Sequence, residues 1–74
     1  MWIYLEHEAN CLNCDHITRL YVEVTGSGAA LKADLAGKTM MLGYYDSKDA
    51  ARNALAELIA SREAGAAVVR LGRA

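Results

Sequence analysis

Alternation of apolar and polar residues is the clearest order in this chain. Between Ile17 and Val24, Leu20, Val22 and Val24 point one way and Arg19, Tyr21 and Glu23 the other, the period of two that marks a half-buried strand. Ile17 falls on the wrong side of that alternation, which predicts either a bulge or a pairing that begins one residue later. Ala29, Leu31, Ala33 and Leu35 repeat the pattern against Lys32 and Asp34. Lys38 to Tyr45 carries it again, with Met40, Leu42 and Tyr44 on one face, and Gly43 within it predicts a bulge or a close backbone approach. Thr25-Gly26-Ser27-Gly28 and Ala36-Gly37 supply the positive-φ residues of hairpin turns. Trp2 to Leu5 has the aromatic and aliphatic content of a strand. Residues 8–15 are polar, with Asn10, Asn13 and Asp15 breaking the pattern, and read as a turn or an irregular edge.

The period then changes. Ser47 has the hydroxyl of a helix N-cap, and Asp49 puts negative charge in the first turn, where the helix dipole favours it. Lys48 to Ala64 consists almost wholly of good helix formers. Ala51, Ala54, Leu55, Leu58 and Ile59 form one apolar stripe, and Gly65 suits the position just past the helix end. Ala66 to Leu71 reads as a last short strand. The order β-β-β-β-α-β gives a single α+β domain over residues 1–74, with the amphipathic helix laid on one face of a mostly antiparallel sheet.

Size sharpens what this fold must do. A 74-residue chain without phenylalanine buries only about 60% of the surface that its unfolded form exposes. Its core is expected from Trp2, Ile3, Leu20, Val22, Leu31, Leu35, Leu42, Leu55, Leu58, Ile59 and Val69. At roughly 25 cal/mol per Å² such a core does little more than offset chain entropy, so a metal, a disulfide or a partner would add useful stability. The net charge is −1, which sets up no general field for nucleic acid or an anionic membrane. Residues 1–37 carry a net −3 and residues 38–74 a net +2, the mild asymmetry of ordinary solvated faces. No stretch approaches the roughly 20 apolar residues of a membrane-spanning helix. The N-terminus lacks the basic start and long apolar run of a signal peptide, so the expectation is a cytoplasmic protein.

One segment carries candidate chemistry. His7, Cys11, Cys14 and His16 fall within ten residues, and Cys11-Leu12-Asn13-Cys14 is a CxxC. That spacing allows a turn to present two thiolates to one tetrahedral metal, with His7 and His16 completing a Cys₂His₂ zinc set. Zinc bound there would add directly to folding free energy. Against this stand the single CxxC and the crowding of all four ligands into one loop. The plainer reading makes Cys14 a small buried apolar residue with Cys11 nearby, and His7 and His16 ordinary strand-end residues. A redox role is disfavoured because the motif precedes a strand, not the helix N-terminus that lowers a catalytic thiol's pKa. A cytoplasmic setting disfavours a disulfide. Tyr44 and Tyr45 with Lys38, Lys48 and Arg52 sketch a stacking platform for single-stranded nucleic acid, but core and surface roles account for them more simply. Ser27, Ser47 and Ser61 have no nucleophile-elbow context.

Met1-Trp2-Ile3, the strand meander, Leu42-Gly43-Tyr44-Tyr45-Asp46-Ser47 and Ala51 together resemble a class of small uncharacterised bacterial and phage proteins. The resemblance spans most of the chain, supports the fold and implies no enzyme activity. Its Cys-His segment departs from that pattern, which usually has aliphatic and polar residues there. The resemblance brings with it a phage or prophage origin, under which a small host-directed inhibitor would be the expected kind of protein. With no convergent titratable groups of the kind an active site needs, the function expected is a non-enzymatic protein-interaction or self-associating module. It is expected to form a homodimer through a free edge of the strand at Trp2–Leu5, Lys38–Tyr45 or Ala66–Leu71; the alternative is a zinc-stabilised domain with or without nucleic-acid contact.

Overall fold

A computed structural model describes residues 1–6 and 9–71. In chain order the elements are β1 (Trp2–Leu5), β2 (Asn10–Asn13), a short 3-10 turn (Cys14–His16), β3 (Ile17–Val24), β4 (Ala29–Leu35), β5 (Lys38–Tyr45), α1 (Lys48–Glu63) and β6 (Val68–Leu71). The α+β class holds, with one helix and mostly antiparallel pairing. Two refinements matter. Residues 10–13 form a strand where the polar pattern predicted a turn, because antiparallel pairing with β1 places Leu12 opposite Ile3 and buries both. Asparagine is a poor strand former, but pairing and burial outweigh intrinsic preference. The strands also divide into two sheets, β2-β1-β6 and β3-β4-β5. Strand β1 is central in the first, antiparallel to β2 and parallel to β6. It therefore has no edge to offer, contrary to expectation; the outer strands are β2, β6, β3 and β5.

The inner faces of both sheets and α1 close on one core. Ile3, Leu5, Leu31, Leu42 and Leu58 are its largest fully buried side chains, each contributing about 1.5–3 kcal/mol on burial. Leu20, Val22, Leu55 and Val69 pack on its rim. Two expected core residues are exposed. Trp2 precedes Ile3 in a strand whose residues alternate in direction, so the two cannot share a face, and Trp2 is 47% exposed. Ile59 lies about 100° around the helix from Leu58, which carries it off the buried stripe and leaves it exposed.

Both irregularities in the strand pattern have a physical origin. The β3–β4 register shifts between Ile17 and Arg19, a bulge that puts Ile17 back against the core. In β5 the shift leaves Leu42 as an extra residue beside Gly43. Beyond it the alternation reverses: Tyr45 turns inward and Tyr44 turns out, not with Leu42 as the sequence period suggested. Ala36 and Gly37, at φ +51° and +75°, form the two-residue turn between β4 and β5. Helix α1 starts where Ser47 Oγ accepts from the Ala50 N–H at 3.1 Å. It ends in a Schellman motif, with Gly65 N–H donating to Arg62 O and Ala66 N–H to Ser61 O.

Candidate functional site

Pairing of β1 with β2 decides the fate of the CxxC. Cys11 stands opposite Tyr4 on the outer face of its sheet and is exposed. Cys14 begins the 3-10 turn, which Asn13 caps by accepting from the Asp15 N–H at 3.0 Å. Its thiol is buried in the core, where Sγ accepts a hydrogen bond from Arg62 Nη1 at 3.6 Å. The two sulfurs are thus committed to opposite environments, one outside the sheet and one within it. His16 is exposed at the end of the same turn, and His7 lies outside the described residues. Among the described residues, no three His, Cys, Asp or Glu side chains come together as a metal site. In this conformation Cys14 is a small core side chain, and the motif does not present two thiolates to one ion.

The adjacent tyrosines separate in the same way. Tyr45 is buried against the core, and burial together with the nearby Glu57 charge holds its phenol above its ordinary pKa. Tyr44 is exposed, and its hydroxyl is hydrogen bonded to Ser27 Oγ at 2.6 Å and Thr25 Oγ1 at 2.9 Å. Those bonds, Ser27 first and then Thr25, pull its pKa down. Because the two rings face opposite ways, they do not form the stacking platform that their adjacency suggested.

What the structure does assemble is a pair of outer sheet faces. On β3-β4-β5 the outward positions are Arg19, Tyr21 and Glu23, opposite Asp34, Lys32 and Ala30, which in turn face Thr39, Met41 and Tyr44 on β5; Met41 and Tyr44 are exposed. Arg19 stacks over the Tyr21 ring at 4.3 Å, and Lys32 Nζ donates to Glu23 Oε1 at 2.8 Å, which raises the Lys32 pKa. Asp34 Oδ1 accepts from Thr39 at 2.8 Å and from Tyr21 at 3.5 Å. On β2-β1-β6 the outward row across the strands is Asn13, Trp2 and Val68, followed by Cys11, Tyr4 and Arg70. Val68 is 53% exposed beside Trp2, and Arg70 lies over the Tyr4 ring at 5.7 Å.

Beside that second face, on its inner side, an open groove of about 470 Å³ runs between α1 and the end of β6. Ala50, Ala54 and Leu71 give it an apolar lining; Tyr45, Asn53, Glu57 and Arg70 add polar groups. Ala50, Asn53, Ala54 and Glu57 recur at helical spacing, so this strip was visible in the sequence as a run of small and polar residues next to the core stripe. Its partner across the groove, the end of β6, was not visible, because only the crossover to β1 brings it there. No helix among the described residues is long and apolar enough to cross a membrane. Comparison with protein-family models, with curated proteins and with solved structures finds no match to this chain.

Proposed function

We propose that this protein is a non-enzymatic interaction module that binds another protein chain through the outer face of its β2-β1-β6 sheet. One observation carries the reading: Trp2 and Val68 stand exposed side by side there, with Tyr4 and Arg70 in the next row. Tryptophan, tyrosine and arginine are the residues that most often anchor protein interfaces. A contiguous aromatic and aliphatic surface without polar pairing of its own gains most from being covered.

The test is a pair of capture experiments from bacterial lysate, with immobilised wild type and with Trp2→Ser/Val68→Ser. Each protein is also sedimented from low to high concentration. The reading expects a discrete partner, or a self-association step, that the double variant loses while its melting curve stays close to wild type. A concentration-independent monomer that captures nothing would remove the reading.

A further inference from the structure

The backbone of β6 states which way its hydrogen-bonding groups point. Trp2 N–H donates to Ala67 O at 2.8 Å and Glu6 N–H to Leu71 O at 3.2 Å. In a strand, the N–H and C=O of one residue point to the same side, and successive residues alternate. Ala67, Val69 and Leu71 therefore bond toward β1, while Val68 and Arg70 turn both their N–H and C=O groups to the other side. Strand β6 is the last in its sheet, so among the described residues no strand pairs with that edge.

We infer that the free edge of β6 and the groove beside it form a docking site for an extended peptide segment. This segment carries an apolar residue and, two positions along, a lysine or arginine. The inference rests on the interaction-module reading and names its partner's chemistry. A strand added to β6 pairs with the four outward backbone groups of Val68 and Arg70 and sends alternate side chains to the two sheet faces. Side chains on the inner side enter the groove, where alanines at positions 50 and 54 leave room above Leu71. The volume falls within the range of natural small binding sites, about 300–1,000 Å³. Its carboxylate is Glu57 on the helix wall; Arg70 lines the groove from β6, and its guanidinium lies over the Tyr4 ring at 5.7 Å. A carboxylate beside an apolar floor selects a cationic side chain with an aliphatic stem. Side chains on the outer side of the added strand extend the Trp2–Val68 surface.

Area favours a peptide over a second copy of the chain. A four-residue edge is about 13 Å long, and with the adjoining groove its footprint is a small fraction of the roughly 800 Å² per partner that stable protein pairs bury.

The experiment is an amide NMR titration with the capped peptide acetyl-Thr-Val-Leu-Val-Lys-Val-Thr-amide and its Lys-to-Glu counterpart. The largest shifts are expected at Val68 and Arg70, followed by Ala50, Ala54 and Glu57, with the glutamate peptide about tenfold or more weaker. Glu57→Lys, an exposed helix substitution, should reverse that preference. Val68→Pro removes an outward N–H without touching the β1 ladder and should weaken both peptides. Equal binding of the two peptides, or no shift at the β6 edge, would overturn the inference. Shifts centred instead on Trp2, Cys11 and Asn13 would also overturn it while leaving the outer-face reading standing. A concentration-dependent shift of the edge amides without peptide would replace the peptide with a second copy.

Discussion

The two sheets of this protein each turn one face outward, and the faces solve the same problem differently. On β3-β4-β5 the charged and hydroxyl groups find partners within the face: Lys32 with Glu23, Arg19 with Tyr21, and Thr39 and Tyr21 with Asp34. Pairs of this kind add little net stability in water, but they satisfy the polar groups that surround the exposed Met41 and Tyr44. On β2-β1-β6 the outward row holds Trp2 and Val68, both about half exposed, and among the described residues its single cation is spent on an aromatic ring. The contrast lies in composition and not in architecture, since both are three-stranded sheets closing on the same core. A strand's outward residues are free to serve a purpose other than folding: the β3-β4-β5 face sets Met41 and Tyr44 among its polar pairs, whereas the β2-β1-β6 face puts Trp2 and Val68 side by side.

The sharpest way to probe this is to compare two neighbouring residues. Ile3 is fully buried, and Trp2 beside it is turned outward. Ile3→Ala should cost about 2–5 kcal/mol from lost burial and the cavity left behind. Trp2→Ser should change stability by no more than about 0.5 kcal/mol, as outward substitutions usually do. Chemical denaturation of both variants reads this directly. A large loss for Trp2→Ser would mean that its ring is part of the fold and would end the argument that this face is kept for binding.

The paired face depends on its hairpin as well as on its side chains. A Cβ added to Gly28 would fall on the Tyr45 carbonyl oxygen and crowd the Tyr44 hydroxyl. Gly28→Ala should therefore cost about 1–3 kcal/mol, the usual range for overpacking. Thermal melting checks the loss. Hydrogen exchange should place the damage in β4 and β5 and spare β1 and β6. Uniform exposure across both sheets would show that the two faces do not rest on separable scaffolds.

Much of this was legible in the chain. Ser47 and Gly65 bracketed the helix because capping is local chemistry, and the out-of-phase Ile17 announced its bulge for the same reason. Residues 10–13 were not legible. Their asparagines signal a turn, and only the remote pairing with β1 makes them a strand. Trp2 misled because hydrophobicity says that a residue prefers burial, not that its strand has an inward place left for it. Tyr44 misled because the extra residue at Leu42 reverses the alternation after it. The β6 edge was anticipated as an available strand, but the groove beside it depends on a crossover that no local pattern encodes.

The cysteines allow a finer cut, because one belongs to each side of the first sheet. Cys14→Ser puts a hydroxyl into the core and should cost about 1–3 kcal/mol with or without a metal, so it does not discriminate. Cys11→Ser is outward and should fall within about 0.5 kcal/mol of wild type, with no change in melting temperature when chelator is added. A native mass spectrum of protein purified without chelator completes the check. A mass excess of one zinc, with melting lowered by either treatment, would instead mean that the CxxC rearranges to bind metal.

The smallest effect is a difference in sign between two adjacent residues. Tyr45 faces inward, and burial with Glu57 favours its neutral form in the folded state. Its contribution to stability is present below the unfolded value of about 10.0 and is lost as pH rises through its raised folded pKa. Tyr44 faces outward, and its bonds to Ser27 and Thr25 favour the phenolate. Its contribution therefore grows as pH climbs through its lowered folded pKa and is complete above about 10.0. The Tyr44 phenolate should accordingly form at lower pH than the Tyr45 phenolate, an early and a late step in phenolate absorbance. Ser27→Ala should move only the early step upward, and Glu57→Gln only the late step downward. If Ser27→Ala leaves the early step unmoved, the hydroxyl cluster does not hold Tyr44, and the β3-β4-β5 face is less self-contained than its other pairs make it. If Glu57→Gln leaves the late step unmoved, the Glu57 charge does not reach across the groove, and a cationic residue has nothing there to meet.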